Sequence, residues 1–217
     1  MSLVLAISCY TSSCSVAVAN SGKTIAFKTL HISQGHAEVV IPMIELVMAD
    51  AGCKVSDIEA VAAMVGPGSF TGIRIGLAAA KGIALAMGMP TVPVDSITAL
   101  AYTAGNSDIP LLVALDNKNG NLICQWFTDN GSSINDLCLC TATEAVCLSP
   151  TVSFRVAGNV SEKVVLAATE AKKTAYVVQR CDVPDIRSIA ILANDRLAIG
   201  AYGPLLPIYL RNPISFN

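Results

Sequence analysis

"AVAAMVGPGSFTGIRIGLAAAKGIALAMGMPTVPVDSITALA", Ala60 to Ala101, is the stretch that decides the fold. Ala60–Val65 is an unbroken apolar run of strand length, followed by a loop with glycine at 66, 68 and 72. Alanine-rich helical spacing then runs from about Thr71 to Met87. "TVPV" gives a short strand, and Asp95 or Ser96 is placed to cap a helix that ends near Ala104. The unit is strand, glycine loop, helix, strand, helix. That alternation is the signature of a parallel α/β layer.

The loop does not fit the known phosphate fingerprints. A Walker A loop needs Lys and Ser/Thr after its last glycine, and here Gly72 is followed by Ile73 and Arg74. The G-x-G-x-x-G pattern fails because its last position falls on Thr71. The strand–loop–helix context alone makes Gly66, Gly68 and Ser69 a candidate anion-binding loop. Gly72, Gly76 and Ala80 are four residues apart, a smooth helical stripe. A mid-helix glycine costs about 1 kcal/mol relative to alanine, so this stripe implies close approach of another backbone. The spacing leaves open whether that backbone belongs to the same lobe or to a partner chain.

Upstream, Leu3–Ser8, Cys14–Asn20 and Lys23–Leu30 read as three strands, with "NSGK" at 20–23 turning the last two into a hairpin. Val39, Val40, Met43, Ile44, Val47 and Met48 line one face of a helix that ends at Gly52, and Pro42 predicts a late start or a kink. Three antiparallel strands followed by helix–strand–helix–strand–helix is the order of a ribonuclease H-like lobe. After a break at "GNSDIP" (105–110) the pattern begins again: a strand into Asp116, a hairpin at Asn119–Gly120, a return strand, two later strands at "VSFRVAG" and "TAYVVQ", and a helix over about 185–199. The expectation is an α/β protein of two tandem ribonuclease H-like lobes in the actin-like ATPase (ASKHA) architecture. The first lobe spans 1–104, and a second, reduced lobe with a C-terminal tail spans 105–217.

Composition narrows the function. The chain has 217 residues, 53% of them hydrophobic and 14% charged, with a net charge of −2 and a mean hydropathy of +0.58. Its most apolar helical stretch is interrupted by Arg74 and Lys81, so no membrane span is expected. The apolar N-terminus lacks a basic lead-in and reads as a first strand rather than a signal peptide. Apolar excess without a span points to a face for a protein partner. The absence of a basic stripe argues against nucleic-acid binding by the chain alone. The eight cysteines contain no C-x-x-C pair, and Cys138-x-Cys140 lacks a second pair or a nearby histidine. They read as scattered structural thiols, and no bound metal is expected. His36 and Glu38 at a helix start read as solvated or capping groups.

The block from Met64 to Ala101 resembles the TsaB (YeaZ) family, bacterial subunits of the machinery that makes threonylcarbamoyladenosine in tRNA. "LAISCYTSSCSVAV", "GHAEVVIPMIELVM", "PLLVALDNKNGNL" and "PIYLRNP" extend the resemblance, while 131–205 matches weakly. The resemblance implies a cytoplasmic, non-catalytic subunit without a cofactor. Such a subunit pairs with the catalytic TsaD, recruits the ATPase TsaE, meets tRNA only through the complex, and forms a homodimer when alone. On this reading Gly72, Arg74, Gly76, Ala80, Val40 and Ile44 are the candidate partner interface.

TsaD carries an H-x-x-x-H metal pair, and the matching positions here are Ser96 and Leu100. Leucine offers no ligand, so that metal site is not expected. Actin-like ATPases hold magnesium with an acidic residue in the first hairpin, where this chain has Ser8, although most of the TsaB family keeps Asp there. Asp116 ends a strand in the usual place for a functional carboxylate, but Lys118 and Asn121 stand near where the family has Arg and Glu. No nucleophile–base pair supports a glycoprotease. The competing expectation is a self-standing ATP-dependent enzyme or M22-type hydrolase using Asp116 and the glycine loop.

Overall fold

The computed structural model describes residues 2–10, 12–117 and 120–210. The chain forms two compact units. Among the described residues, unit 1 holds those up to 99 together with 185–208, and unit 2 holds those of 100–184 with 209–210.

Unit 1 opens with strands β1 (Leu3–Tyr10), β2 (Ser13–Asn20) and β3 (Lys23–His31). The β2–β3 hairpin turns through Ser21 and Gly22, both at positive φ, the geometry of a type I′ turn. Helix α1 (His36–Asp50) follows, then β4 (Ala60–Gly66), α2 (Phe70–Met87), β5 (Thr91–Asp95) and α3 (Ser96–Ala104). The sheet order is β3-β2-β1-β4-β5, with β4 parallel to β1 and to β5. β1, β2 and β4 are buried almost end to end, as their continuous apolar runs require when both faces of a sheet are covered. Helix α1 begins before Pro42 and carries it within the second turn, so the expected late start does not occur. Pro42 leaves the Glu38 carbonyl without its usual helical donor, and the buried face (Val40, Met43, Ile44, Val47) holds the helix on the sheet despite that loss.

Unit 2 repeats the plan. Strands β6 (Leu111–Asp116), β7 (Leu122–Phe127) and β8 (Cys138–Cys140) precede helix α4 (Ala142–Cys147). Then come β9 (Ser153–Ala157), α5 (Ser161–Glu170) and β10 (Thr174–Val177). Its order, β10-β9-β6-β7-β8, is the order of unit 1 read from the other end. The duplication expected from sequence is therefore present strand for strand. Unit 2 is the reduced copy, with three residues in β8 and four in β10. The β6–β7 turn expected at Asn119–Gly120 falls partly outside the described residues.

The expected boundaries need two corrections, the first being that the break falls after Ala99, inside α3, rather than after Ala104. Helix α6 (Ile186–Ala198) and the chain up to Ile208 belong to unit 1, not to the second lobe. Ile186, Ile189, Ala190 and Ala193 are the buried stripe of α6, and they pack it on β1 and β2. Arg196 reaches the Pro93 carbonyl and, at 3.5 Å, Asp95. The backbone of Ile208 then donates to Val65 at 2.8 Å.

By length and mean hydropathy (18 residues, 1.4), α2 is apolar enough to cross a membrane, contrary to the expectation of no span. Its Ile73, Gly76, Leu77, Ala80 and Ala84 are buried within unit 1. Packing on β1 and β4 accounts for these residues, while Phe70, Leu85 and Met87 stay exposed.

Candidate functional site

The glycine loop between β4 and α2 was the first candidate, and its geometry gives each glycine an internal reason. A Cβ on Gly68 would stand 2.4 Å from the Tyr10 ring, which lies buried beneath the turn. Burial pushes the Tyr10 phenol above its ordinary range. A Cβ on Gly72 would lie 2.5 Å from the Cys9 carbonyl oxygen, and one on Gly76 would lie 3.4 Å from the Cys9 backbone nitrogen. Ser69 caps α2 by accepting from the Gly72 N–H at 3.3 Å. Gly66 sits at φ +96 with Ile73 and the Ile208 carbonyl against it. The glycines of 66–76 are therefore accounted for by the Tyr10 ring, the β1 backbone and, at Gly66, Ile73 and Ile208, and their spacing carries no information about a phosphate.

The same contacts correct the candidate partner interface. Gly72 and Gly76 face β1 of their own unit, Ala80 is fully buried, and Val40 and Ile44 are core residues at 2% and 5% exposure. A stripe of small residues forms wherever a helix must approach a backbone closely, and here that backbone is β1. Of the six, Arg74 stays on the open side, where its guanidinium lies 3.7 Å from the Phe70 ring centroid. The outward face of α2 carries Phe70, Ala78, Lys81, Gly82 and Leu85, and Leu85 is 86% exposed. A Cβ on Gly82 would meet nothing within 4 Å. On the outward face of α1 stand Ile41 and Leu46. An apolar groove of about 420 Å³ runs beside Lys81, Ala84, Leu85, Gly88, Met89 and Thr91.

The positions that would hold catalytic groups are built into the packing. Ser96 is fully buried and its hydroxyl donates to the Pro67 carbonyl at 2.6 Å. Leu100 is also fully buried. Ser8, at the acidic position of the first hairpin, points its hydroxyl at the Met64 sulfur, 3.6 Å away. His36 is buried rather than solvated, which corrects the reading from its place at a helix start. Glu38 is exposed.

Unit 2 holds an open pocket of about 620 Å³ at the equivalent turn, between β9 and α5. Gly158 makes the turn at φ +107, and a Cβ there would strike the Ala114 carbonyl oxygen at 1.9 Å. Helix α5 has no side-chain cap. Glu162, Lys163, Arg180 and Asp182 give the lining two charges of each sign. Asp116 is exposed at the end of β6, and its backbone N–H donates to Asn159 Oδ1 at 2.9 Å.

The thiols are less scattered than their spacing suggests. Cys124 on β7 stands opposite Cys138 on β8, and its sulfur lies 3.6 Å from Cys138 and 3.1 Å from Cys140. The hydrogen bond from Cys124 brings the Cys140 thiol down to about 7, while the same bond and burial push Cys124 up. This cluster went unread because β8 and α4 left no apolar periodicity. The Thr141–Glu144 pair was a usable signal, since it forms a capping box at α4 with mutual contacts of 2.7 and 3.2 Å.

Comparison with known proteins follows the same lines. The family described as "TsaD: tRNA N6-adenosine threonylcarbamoyltransferase" matches residues 30–202. The chain belongs to that family. Within the TsaD family it resembles the tRNA threonylcarbamoyladenosine biosynthesis protein TsaB of Escherichia coli (strain K12). The two are 29% identical over 99% of this chain and 96% of that one. Among solved structures, YeaZ from Pseudomonas aeruginosa matches with a TM-score of 0.80 at 23% identity, over 97% of this chain and all of that one. A ROK hexokinase from Thermus thermophilus shares the fold, with a TM-score of 0.53 at 11% identity over 91% of this chain and 99% of that one. The resemblance to TsaB and the actin-like architecture expected from sequence are thereby borne out.

Proposed function

We propose that this chain is a non-catalytic subunit of the tRNA threonylcarbamoyladenosine machinery. It pairs with the transferase TsaD, recruits the ATPase TsaE, and meets tRNA only within that complex. It acts in the cytoplasm and self-associates when TsaD is absent. The observation that carries this reading is the fate of the catalytic positions. Ser96 and Leu100, which match TsaD's histidine pair, are fully buried, one bonded to a carbonyl and the other aliphatic. Neither can present a metal ligand to a substrate without unpacking.

The partner surface in this reading is the outward side of α1 and α2, not the buried stripe. Ile41 and Leu46 of α1 and Phe70 and Leu85 of α2 stay exposed, and Leu85 lines the apolar groove at the C-terminal end of α2. Exposed apolar groups along such helices are typical of a docking face. Interface cores are enriched in aromatic residues and arginine, and Phe70 and Arg74 supply one of each here.

Leu85→Glu tests the reading. Leu85 is nearly free of contacts, so the variant should keep the melting temperature of the parent while co-purification with the cognate TsaD falls at least about tenfold. Retained pairing with TsaD would remove this face from the proposal. Calorimetry with ATP and magnesium on the isolated chain addresses the competing ATP-dependent enzyme, and clear micromolar binding would overturn the non-catalytic reading.

A further inference from the structure

Cys138 and Cys140 are two residues apart on a strand, so their side chains project from the same face. Antiparallel pairing sets Cys124 of β7 directly across from Cys138. The sulfur of Cys124 is 3.6 Å from one thiol and 3.1 Å from the other, and all three sulfurs lie within 4.8 Å of one another. A tetrahedral ion with metal–sulfur bonds of about 2.3 Å holds its sulfurs about 3.8 Å apart. The three thiols are already at that spacing to within small side-chain rotations.

The surroundings favour a bound ion over a plain cluster of core thiols. Cys124 is fully buried, between Leu122 and Trp126 on its strand. Cys138 and Cys140 are half-buried on β8, which lies at the edge of the sheet and, among the described residues, pairs only with β7. An ion entering from that edge would meet two accessible sulfurs and one anchored one. A disulfide would use two of the three sulfurs and strand the third. The donor set is wholly soft, and the chain's two histidines, His31 and His36, lie in unit 1. Thiolate-only sites select Cu⁺ and Zn²⁺ over magnesium, calcium or manganese.

We propose that Cys124, Cys138 and Cys140 form a three-thiolate site for a soft d¹⁰ cation, Cu⁺ or Zn²⁺, which ties the short edge strand β8 to β7. Three protein sulfurs complete the shell of Cu⁺. Zn²⁺ would take a water or small thiol in its fourth position. The site is separate from the histidine pair of TsaD and serves the folding of unit 2 rather than group transfer.

The test uses the full chain, stripped with chelator under reducing conditions and titrated anaerobically. One arm titrates Zn²⁺ against a chromophoric chelator, and the other titrates Cu⁺ against a bathocuproine-type competitor. One ion per chain is expected, and the tighter arm names it. Cys138→Ser and Cys140→Ser should each weaken binding at least about 100-fold, whereas Cys53→Ser should leave it unchanged. These edge positions keep the test valid even if Cys124→Ser fails to fold. Alkylation mapped by mass spectrometry should show Cys138 and Cys140 protected by the ion and exposed Cys147 still labelled. Binding that survives in the Cys138→Ser/Cys140→Ser double variant would overturn the proposal, as would equal labelling with and without metal. A Cys124–Cys140 disulfide in the freshly isolated protein would do the same.

Discussion

Two turns stand at equivalent places in two sheets of the same order, and only one of them is closed. Between β4 and α2, the Tyr10 ring lies under Gly68, the β1 backbone presses on Gly72, and Ser69 caps the helix. Between β9 and α5, Gly158 makes the turn, no side chain caps the helix, and a pocket of about 620 Å³ stays open. Both turns are glycine-dependent, yet neither glycine set marks a ligand by itself. What distinguishes them is whether a neighbouring side chain has been placed in the hollow. A glycine-rich loop after a strand is thus evidence of crowding, and the occupant must be found before a function is assigned.

The sharpest way to break this comparison is to fill the crowded positions. Gly158→Ala places a methyl 1.9 Å from a backbone oxygen at φ +107. The backbone must move and the residue is strained besides, so the expected loss is about 3 kcal/mol or more. Hydrogen exchange should show that loss in β6, β9 and α5. Gly72→Ala meets the Cys9 carbonyl at 2.5 Å in a relaxed helical conformation, and should cost about 2–3 kcal/mol, seen in β1 and α2. If either variant melts within 0.5 kcal/mol of the parent, about the scatter of surface substitutions, crowding is not what keeps the glycine. Equal losses spread across both units would show that the two turns do not report on separate bodies.

Helix α6 sharpens the comparison from the other side, because it follows unit 2 in sequence and packs in unit 1. Asp185 caps it, accepting from the Arg187 backbone at 2.8 Å and pairing with the Arg187 side chain. Burial alone would raise the Asp185 carboxyl, but the Arg187 hydrogen bonds outweigh it and hold it below its ordinary 3.8. Asp185→Ala should cost about 1–2 kcal/mol, lost from β1 and β2 rather than from β6 and β9. The folded-state value is depressed, so the charge contribution is fully present above the unfolded value and disappears as pH falls through the folded one. The gap between Asp185→Asn and the parent should therefore be constant near neutrality and close only in acid below 3.8. A gap that closes near neutrality would assign it to some other group.

These particulars show what was legible in the sequence. Unit 1 was readable because β1, β2 and β4 are covered on both faces and so are written as unbroken apolar runs. Unit 2 was readable at β6 and β7, where the same condition holds, and also at β9 and β10, whose short β-branched and aromatic runs gave them away. β8, α4 and α5 were missed because edge strands and short, half-exposed helices carry little periodic signal. The ownership of α6 was not legible, since its stripe of Ile186, Ile189, Ala190 and Ala193 says that it packs, not on which sheet. The same limit misplaced the partner face. A small-residue stripe gives the distance of approach, and only the fold says whose backbone is approached. The cysteine trio was hidden for a related reason, since register across β7 and β8 is set by a loop whose length fixes no pairing.

The smallest effect tests the two sides of α2 against each other. Gly76 and Gly82 are both interior to the helix, and from sequence both demand a reason for being glycine. Gly76 has one in Cys9, whereas a Cβ on Gly82 meets nothing within 4 Å. Gly82→Ala should therefore stabilise the isolated chain by about 0.5–1 kcal/mol, the ordinary helical gain, measured by denaturant midpoint at constant m-value. A glycine that weakens its own helix and touches nothing within its unit is one that a docked chain has reason to keep. The same variant should then weaken co-purification with TsaD, though less than Leu85→Glu does, because one methyl only widens the approach while a buried carboxylate opposes it. Stabilisation with pairing intact would leave the outward face of α2 as bare surface around Gly82 and shift the docking site toward the groove beside Met89. Destabilisation would mean that Gly82 packs against something in its own unit, and the division of this helix into a crowded side and an open side would fail.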